Sequence, residues 1–171
     1  MRDFITSLVV LALTWAAPAH AFPDGAPWGS ADPDSFSSCA SCHFDHEPVG
    51  RSPDIMLKGL PEIATPGETY PLDLVFAANG AASAGFVLSA SSGTFDADRP
   101  DLETRNGEAR SIEPAPADAM MQWPLIWRAD IDEGAATVVF HAAVNGANGD
   151  QSAFGDAVHF RKFEIPVRAP P

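Results

Sequence analysis

Apolar and polar residues alternate along short stretches of this chain, and turn-forming pairs separate the stretches. Thr69–Ala77, Gly85–Ser89, Gln122–Arg128, Thr137–Ala142 and Val158–Ile165 carry Val, Phe, Ile and Trp with partial period-two alternation, which predicts β-strands. Within Val138–Ala142, one face carries Val138, Phe140 and Ala142 and the other carries Val139 and His141. Trp123 and Trp127 stand four apart, so in a strand they share a face and are expected in the core. Between the stretches lie Pro66-Gly67, Asn79-Gly80, Ser92-Gly93, Asn106-Gly107, Glu133-Gly134 and Asn145-Gly146, all turn signals. Short strands at this spacing predict an antiparallel sandwich or barrel. No stretch after about residue 60 has helical periodicity, although Ala115–Met121 has room for one helical turn.

The N-terminal pattern differs. Arg2 is followed by an apolar run over residues 4–17 and then by Ala19-His20-Ala21, a small-x-small cleavage pattern. The run is shorter than the ~20 apolar residues of a membrane span, so it reads as a cleaved secretory signal ending at Ala21. The expected organisation is a signal peptide over 1–21, a leader over 22–58 rich in Pro, Gly, Asp and Ser at its start, and a β domain over 59–171. No second apolar stretch of spanning length follows, so the expectation is an exported protein, periplasmic or extracellular, with no transmembrane segment after cleavage.

Composition narrows the partners. The 171 residues include 10 Lys+Arg and 23 Asp+Glu, a formal net charge of −13. Such a chain repels phosphate, which argues against nucleic-acid and anionic-membrane binding and favours partners with basic surfaces. Sixteen prolines leave no heptad pattern for a coiled coil. Gly-x-Ser-x-Gly, His-Glu-x-x-His and a phosphate-cradling loop are all missing, so no enzyme activity is expected.

One motif carries specific chemistry. Cys39-Ala40-Ser41-Cys42-His43 has the Cys-x-x-Cys-His spacing of c-type haem attachment. Two thiols on one turn can each add to a porphyrin vinyl group, and the histidine that follows is carried under the iron as an axial ligand. These are the only two cysteines in the chain, so one covalent haem c is expected, on Cys39 and Cys42 with His43 as proximal ligand. Three rival readings of the motif are weaker. A Cys39–Cys42 disulfide closes too small a loop to stabilise much. A thioredoxin-like pair needs a βαβ setting that this pattern lacks. A zinc site on Cys39, Cys42, His43 and His46 is sterically crowded and lacks a distant second ligand pair.

Several segments in a fixed order accompany the motif. Gly25-Ala26-Pro27 precedes it, and Thr65-Pro66-Gly67-Glu68-Thr69-Tyr70-Pro71-Leu72 follows. Then come Ala84–Leu88 with Gly93-Thr94-Phe95, Trp123-Pro124-Leu125-Ile126-Trp127, and Val139–Asp150 continued by Gly155-Asp156. In these the chain resembles exported bacterial proteins that join a Cys-x-x-Cys-His segment to a Reeler-like, immunoglobulin-type β domain. The resemblance implies an immunoglobulin-like antiparallel β-sandwich preceded by an irregular haem-binding segment, and implies little about a substrate. In that family a histidine often stands before the Trp-x-x-x-Trp segment, where this chain has Ser111-Ile112-Glu113, so no iron ligand carries over to that position.

The second axial side of the iron is left open by the sequence. In order of preference the distal candidates are Met120 or Met121, in an expected loop before the tryptophan strand, then Met56, then His141 or His159. His46 is too close to His43 to reach the opposite side of the same haem and reads as a solvated loop residue. The Asn- and Asp-rich run Asn145–Asp156 has oxygen donors for calcium but not the spacing of a calcium loop, so calcium is not expected. The expected function is electron transfer through the haem to other redox proteins, with the β domain as scaffold or docking surface. The alternatives are a non-redox Reeler-type binding or adhesion module with the cysteines as a local staple, and a haem-based sensor with an open iron site.

Overall fold

The alternating stretches become strands whose apolar faces meet. In the computed structural model, which describes residues 25–35 and 38–169, ten strands pair antiparallel into two sheets. The expected signal peptide, 1–21, lies outside the described residues. One sheet runs in the order β1 (Ile55–Lys58), β2 (Thr69–Ala77), β8 (Met120–Arg128), β4 (Thr94–Asp96). The other runs β10 (Ala157–Pro166), β9 (Thr137–Ala147), β3 (Ser83–Ala90), β6 (Glu108–Ser111), β5 (Leu102–Arg105), and the short β7 (Ala115–Pro116) also pairs with β3. Leu72, Leu74 and Phe76 of β2 and Trp123, Leu125 and Trp127 of β8 pack against Phe86 and Leu88 of β3 and Val138, Phe140 and Val144 of β9. The fold is the expected all-β, immunoglobulin-like sandwich. Among the described residues no helix is long and apolar enough to cross a membrane.

Two of the turn signals work as read. Asn79 and Gly80 have φ of 43° and 95°, and Asn106 and Gly107 have 46° and 78°, left-handed at both residues of each pair; the first turn carries the chain from β2 across to β3 of the other sheet, and the second closes the β5–β6 hairpin. Arg105 faces Glu108 across the second of these. Asn145-Gly146 does not turn. Both residues lie inside β9, opposite Val158 and Ala157 of β10 on one side and Gly85 and Ala84 of β3 on the other. Ladders on both sides outweigh the local turn preference, and Gly146 lies close to the Phe76 ring, where a side chain would crowd the core. Nor does Ala115–Met121 make a helical turn. Pro114 and Pro116 withhold N–H donors, Ala115 pairs with Ala84, and Met120 and Met121 open β8 opposite Ala77 and Phe76.

The six-stranded sheet is apolar on its outer face as well. Val87, Ala143, Val158 and Phe160 form a second cluster there with Ala31, and Ala26, Cys39 and Ala40 pack against it. The segment from residue 25 is therefore a third layer. Arg110 anchors its start, donating to the Ala26 carbonyl at 2.6 Å and lying over the Trp28 ring, while Glu108 accepts the Gly29 N–H at 2.8 Å. The segment then runs along the outer edge of β10. Val49 donates to the Val158 carbonyl and accepts from the Phe160 N–H, and Ser52 donates to the Phe160 carbonyl. An otherwise open sheet edge is closed in this way.

His159 secures that edge from the sandwich side. Its Nδ1 is 2.9 Å from the Ser52 hydroxyl, and its ring meets the edge of Phe76 at 5.0 Å. Burial pushes the His159 pKa below its ordinary value, and the Asp54 carboxylate, 3.6 Å away, offsets part of that.

Two outcomes follow from these contacts. Trp127 is fully buried, stacks on Tyr70, meets Phe140 edge-on at 5.0 Å, and donates its Nε1–H to the Ser92 carbonyl. Trp127→Ala should cost about 3–5 kcal/mol, read as a lowered urea midpoint at unchanged slope; a loss below ~1 kcal/mol would show that Trp127 is not a core anchor. For His159, the folded state holds the ring neutral more firmly than the unfolded chain does. Stability is therefore full above pH ~6.5 and falls as pH drops through that value, levelling off below the folded-state pKa. In urea midpoints between pH 7.5 and 5.5, His159→Gln should flatten this slope, and an unchanged slope would place its cause elsewhere.

Candidate functional site

The segment that covers the outer sheet face also carries the two cysteines. Cys39–Ser41 form a single 3₁₀ turn, in which Ser41 donates to the Ser38 carbonyl and both Cys42 and His43 donate to the Cys39 carbonyl. One turn thus presents both thiols and the imidazole. Cys39 is half-buried against the second cluster, with Sγ 3.5 Å from the Ser30 carbonyl, while Cys42 is exposed and neither is in a disulfide. Burial pushes the Cys39 thiol up, and the Ser30 contact offsets part of this. A thiolate, the form that zinc or redox exchange needs, is disfavoured there, whereas a neutral thiol or thioether is not.

His43 is held from the far end of the chain. Its Nδ1 lies 2.9 Å from Asp156 Oδ2, and the Asp156 side chain is only 2% exposed. The carboxylate also accepts the Asn145 side-chain amide at 3.0 Å and the Asn148 backbone N–H at 3.1 Å. Asn145 Nδ2 is 3.5 Å from His43 Nδ1 as well. The shorter contact decides the tautomer: Nδ1 carries the proton and donates to Asp156, which leaves the Nε2 lone pair as the ring's acceptor. A second carboxylate reaches back the other way. Asp45 accepts the Gly155 N–H at 2.6 Å, and that bond holds its carboxyl below the usual carboxylate range. Two side-chain bonds of opposite direction therefore clasp the motif to the β9–β10 connection.

That connection stiffens itself through its own side chains. Asn148 Oδ1 accepts from the Asp150 N–H, Asp150 Oδ1 from the Ser152 N–H, and Ser152 Oγ from the Phe154 N–H. The side-chain oxygens of Asn148, Asp150 and Ser152 are thus engaged with backbone amides. Next to the motif, Phe44 and Phe154 meet edge-to-face at 5.8 Å while remaining 66% and 52% exposed, an exposed apolar pair. Among the described residues, two thiols outside any disulfide on one turn and an imidazole bonded through Nδ1 make a residue set that fits a covalently attached haem.

The other candidates are dispersed. Met121 is buried between the sheets, whereas Met120 and Met56 are half-exposed on the four-stranded sheet, to which the end of the expected leader contributes β1 as an edge strand. His159 faces Phe76 on the sandwich side, opposite the face that carries His43. His141 shares the outer face, with Nδ1 3.4 Å from Asp32. Among the described residues, the hydrogen-bond partner of the His43 ring is the Asp156 carboxylate. His46 is largely exposed and 3.4 Å from Asp45, and no group of three or more His, Cys, Asp or Glu among the described residues is arranged around a metal. Sequence reasoning had passed over Asp45, Asn145 and Asp156 as ligand supports. For Asn145 and Asp156 the available signal was the Asn- and Asp-rich run itself, read as a turn with no calcium expected.

No protein-family model matches the chain, and no curated protein matches it in sequence. Among solved structures it is similar to the human F-spondin reeler domain (fragment 1), with a TM-score of 0.50 and 16% identity over 71% of this chain and 95% of that one. It is similar too to the Reelin-N domain of F-spondin, with a TM-score of 0.51 and 17% identity over 71% of this chain and 90% of that one. At these identities the likeness is one of architecture: the chain folds as a Reeler-like β-sandwich.

Proposed function

We propose that this chain carries one haem c, bound through Cys39 and Cys42 with His43 as an axial iron ligand, and that it transfers electrons. The observation that carries the reading is the orientation of His43. A histidine immediately after two unbonded thiols has its Nδ1–H tied to a buried carboxylate and its Nε2 left to coordinate. Bound there, the haem supplies a one-electron couple. Cys39 and Cys42 fix its position, and the Phe44–Phe154 patch offers it an apolar neighbour. The Asp45 and Asp156 bonds hold the turn still, so that little reorganisation accompanies a change of charge. The sandwich is a rigid base, and the chain's net charge of −13 gives a field that favours basic redox partners outside the inner membrane.

The likeness to Reeler domains supports a second reading, a haem-free binding module in which the cysteine turn merely pins the leader to the sheet. One experiment separates the two. The full chain, made in a bacterium with haem-maturation machinery, should run as a haem-staining band on a denaturing gel and show sharp reduced α and β absorption bands. Cys39→Ala with Cys42→Ala should lose both signals and keep the sandwich's circular dichroism and cooperative unfolding, because the main core does not include the motif. A colourless wild-type chain made under those conditions would favour the binding module, and haem that stays with the double variant on the gel would reject attachment through Cys39 and Cys42.

A further inference from the structure

The β9–β10 connection does more than close a loop, because it ends in Asp156. Three donors converge on that carboxylate: His43 Nδ1 and Asn145 Nδ2 on Oδ2, and the Asn148 N–H on Oδ1. A carboxylate that is 2% exposed is costly unless paired, and here the pairing is directed at the one histidine that follows the thiols. Asn145 completes the geometry at an evident cost, since its Oδ1 is buried with no hydrogen-bond partner among the described residues. A group that leaves one atom unsatisfied while aiming the other at Asp156 is set up for that contact.

We infer that Asp156 is the positioning residue of the iron site, accepting the His43 Nδ1–H to fix the ring's tautomer and to make its Nε2 a stronger donor to ferric iron. This rests on the haem reading. A histidine that shares its second proton with a carboxylate becomes more electron-rich, which favours the higher oxidation state of the metal it ligates. The same carboxylate places a negative charge one imidazole away from the iron, and that acts in the same direction. Asn145 moderates the effect by donating to the same oxygen.

The test uses the full haem-loaded chain and reads midpoint potential and absorption spectrum in four proteins. Asp156→Asn should shift the ferric–ferrous equilibrium about tenfold towards ferrous, a rise of about 59 mV for a one-electron couple. Asn145→Ala removes the competing donor and an unpaired oxygen together, so it should fold well and move the potential the opposite way. Asp45→Asn loosens the same clasp without touching His43, and should leave the potential within a small fraction of the Asp156→Asn shift. In the unloaded Cys39→Ala/Cys42→Ala chain, nitrogen-15 spectra of His43 should show a protonated Nδ1, lost on adding Asp156→Asn. Equal shifts in Asp45→Asn and Asp156→Asn, or Asn145→Ala moving the same way as Asp156→Asn, would overturn the inference and leave only a structural clasp. A wild-type chain that takes no haem, yet shows the Nδ1–H tautomer, would reject the haem reading and the tuning role with it. A haem-loaded chain whose potential ignores Asp156→Asn would reject the tuning role alone.

Discussion

Val87, Ala143, Val158 and Phe160 give the six-stranded sheet an apolar outer face, while its inner face already supplies half of the sandwich core. A sheet that is apolar on both sides must be covered on both sides, and among the described residues the segment preceding β1 covers the second. From that requirement the site follows. Once Ala31, Ala26 and Ala40 are drawn onto the sheet, the cysteine turn is carried to the β9–β10 end of it, where Asp156 and Asn145 stand. Arg110 and Glu108, reaching from β6, fix where that layer begins.

The clasp between the motif and the β9–β10 connection follows a different logic from the layer beneath it. Apolar covering is tolerant of small shifts, but two charge-assisted bonds of opposite direction are not. Asp45 reaches from the motif to the Gly155 amide, and Asp156 reaches from the connection to the His43 ring. Asp156 gains the more from the arrangement, since burial strips it of water and each of its three donors becomes stronger in consequence. Asp45, open to solvent, contributes mainly by placement.

His159 and His43 lie on opposite faces of one sheet and illustrate how environment assigns a role. His159 has Ser52 and the Phe76 ring for neighbours, is driven towards neutrality by burial, and serves the edge where residues 49–52 join β10. His43 meets a buried carboxylate instead, which fixes its proton on Nδ1. Nothing in the residue type distinguishes the two.

The chain's own pattern determined much of this. Period-two alternation located the five long strands, β2 with both of its ends, and placed Trp123 and Trp127 on the buried face. The Asn-Gly pairs at 79–80 and 106–107 turned because only local backbone geometry was at stake there. The Cys-x-x-Cys-His spacing was legible because its five residues are contiguous in sequence. Tertiary structure decided the rest. Asn145-Gly146 carries the same turn signal yet runs straight, since two neighbouring strands offer it more hydrogen bonds than a turn would. Short strands such as β1, β5 and β7 exist through their partners rather than their own propensity. Above all, Asp156 stands 113 positions after His43 and met it only when the leader lay down on the sheet, because side-chain hydrogen bonds act over about 3 Å of space and leave no mark in sequence spacing.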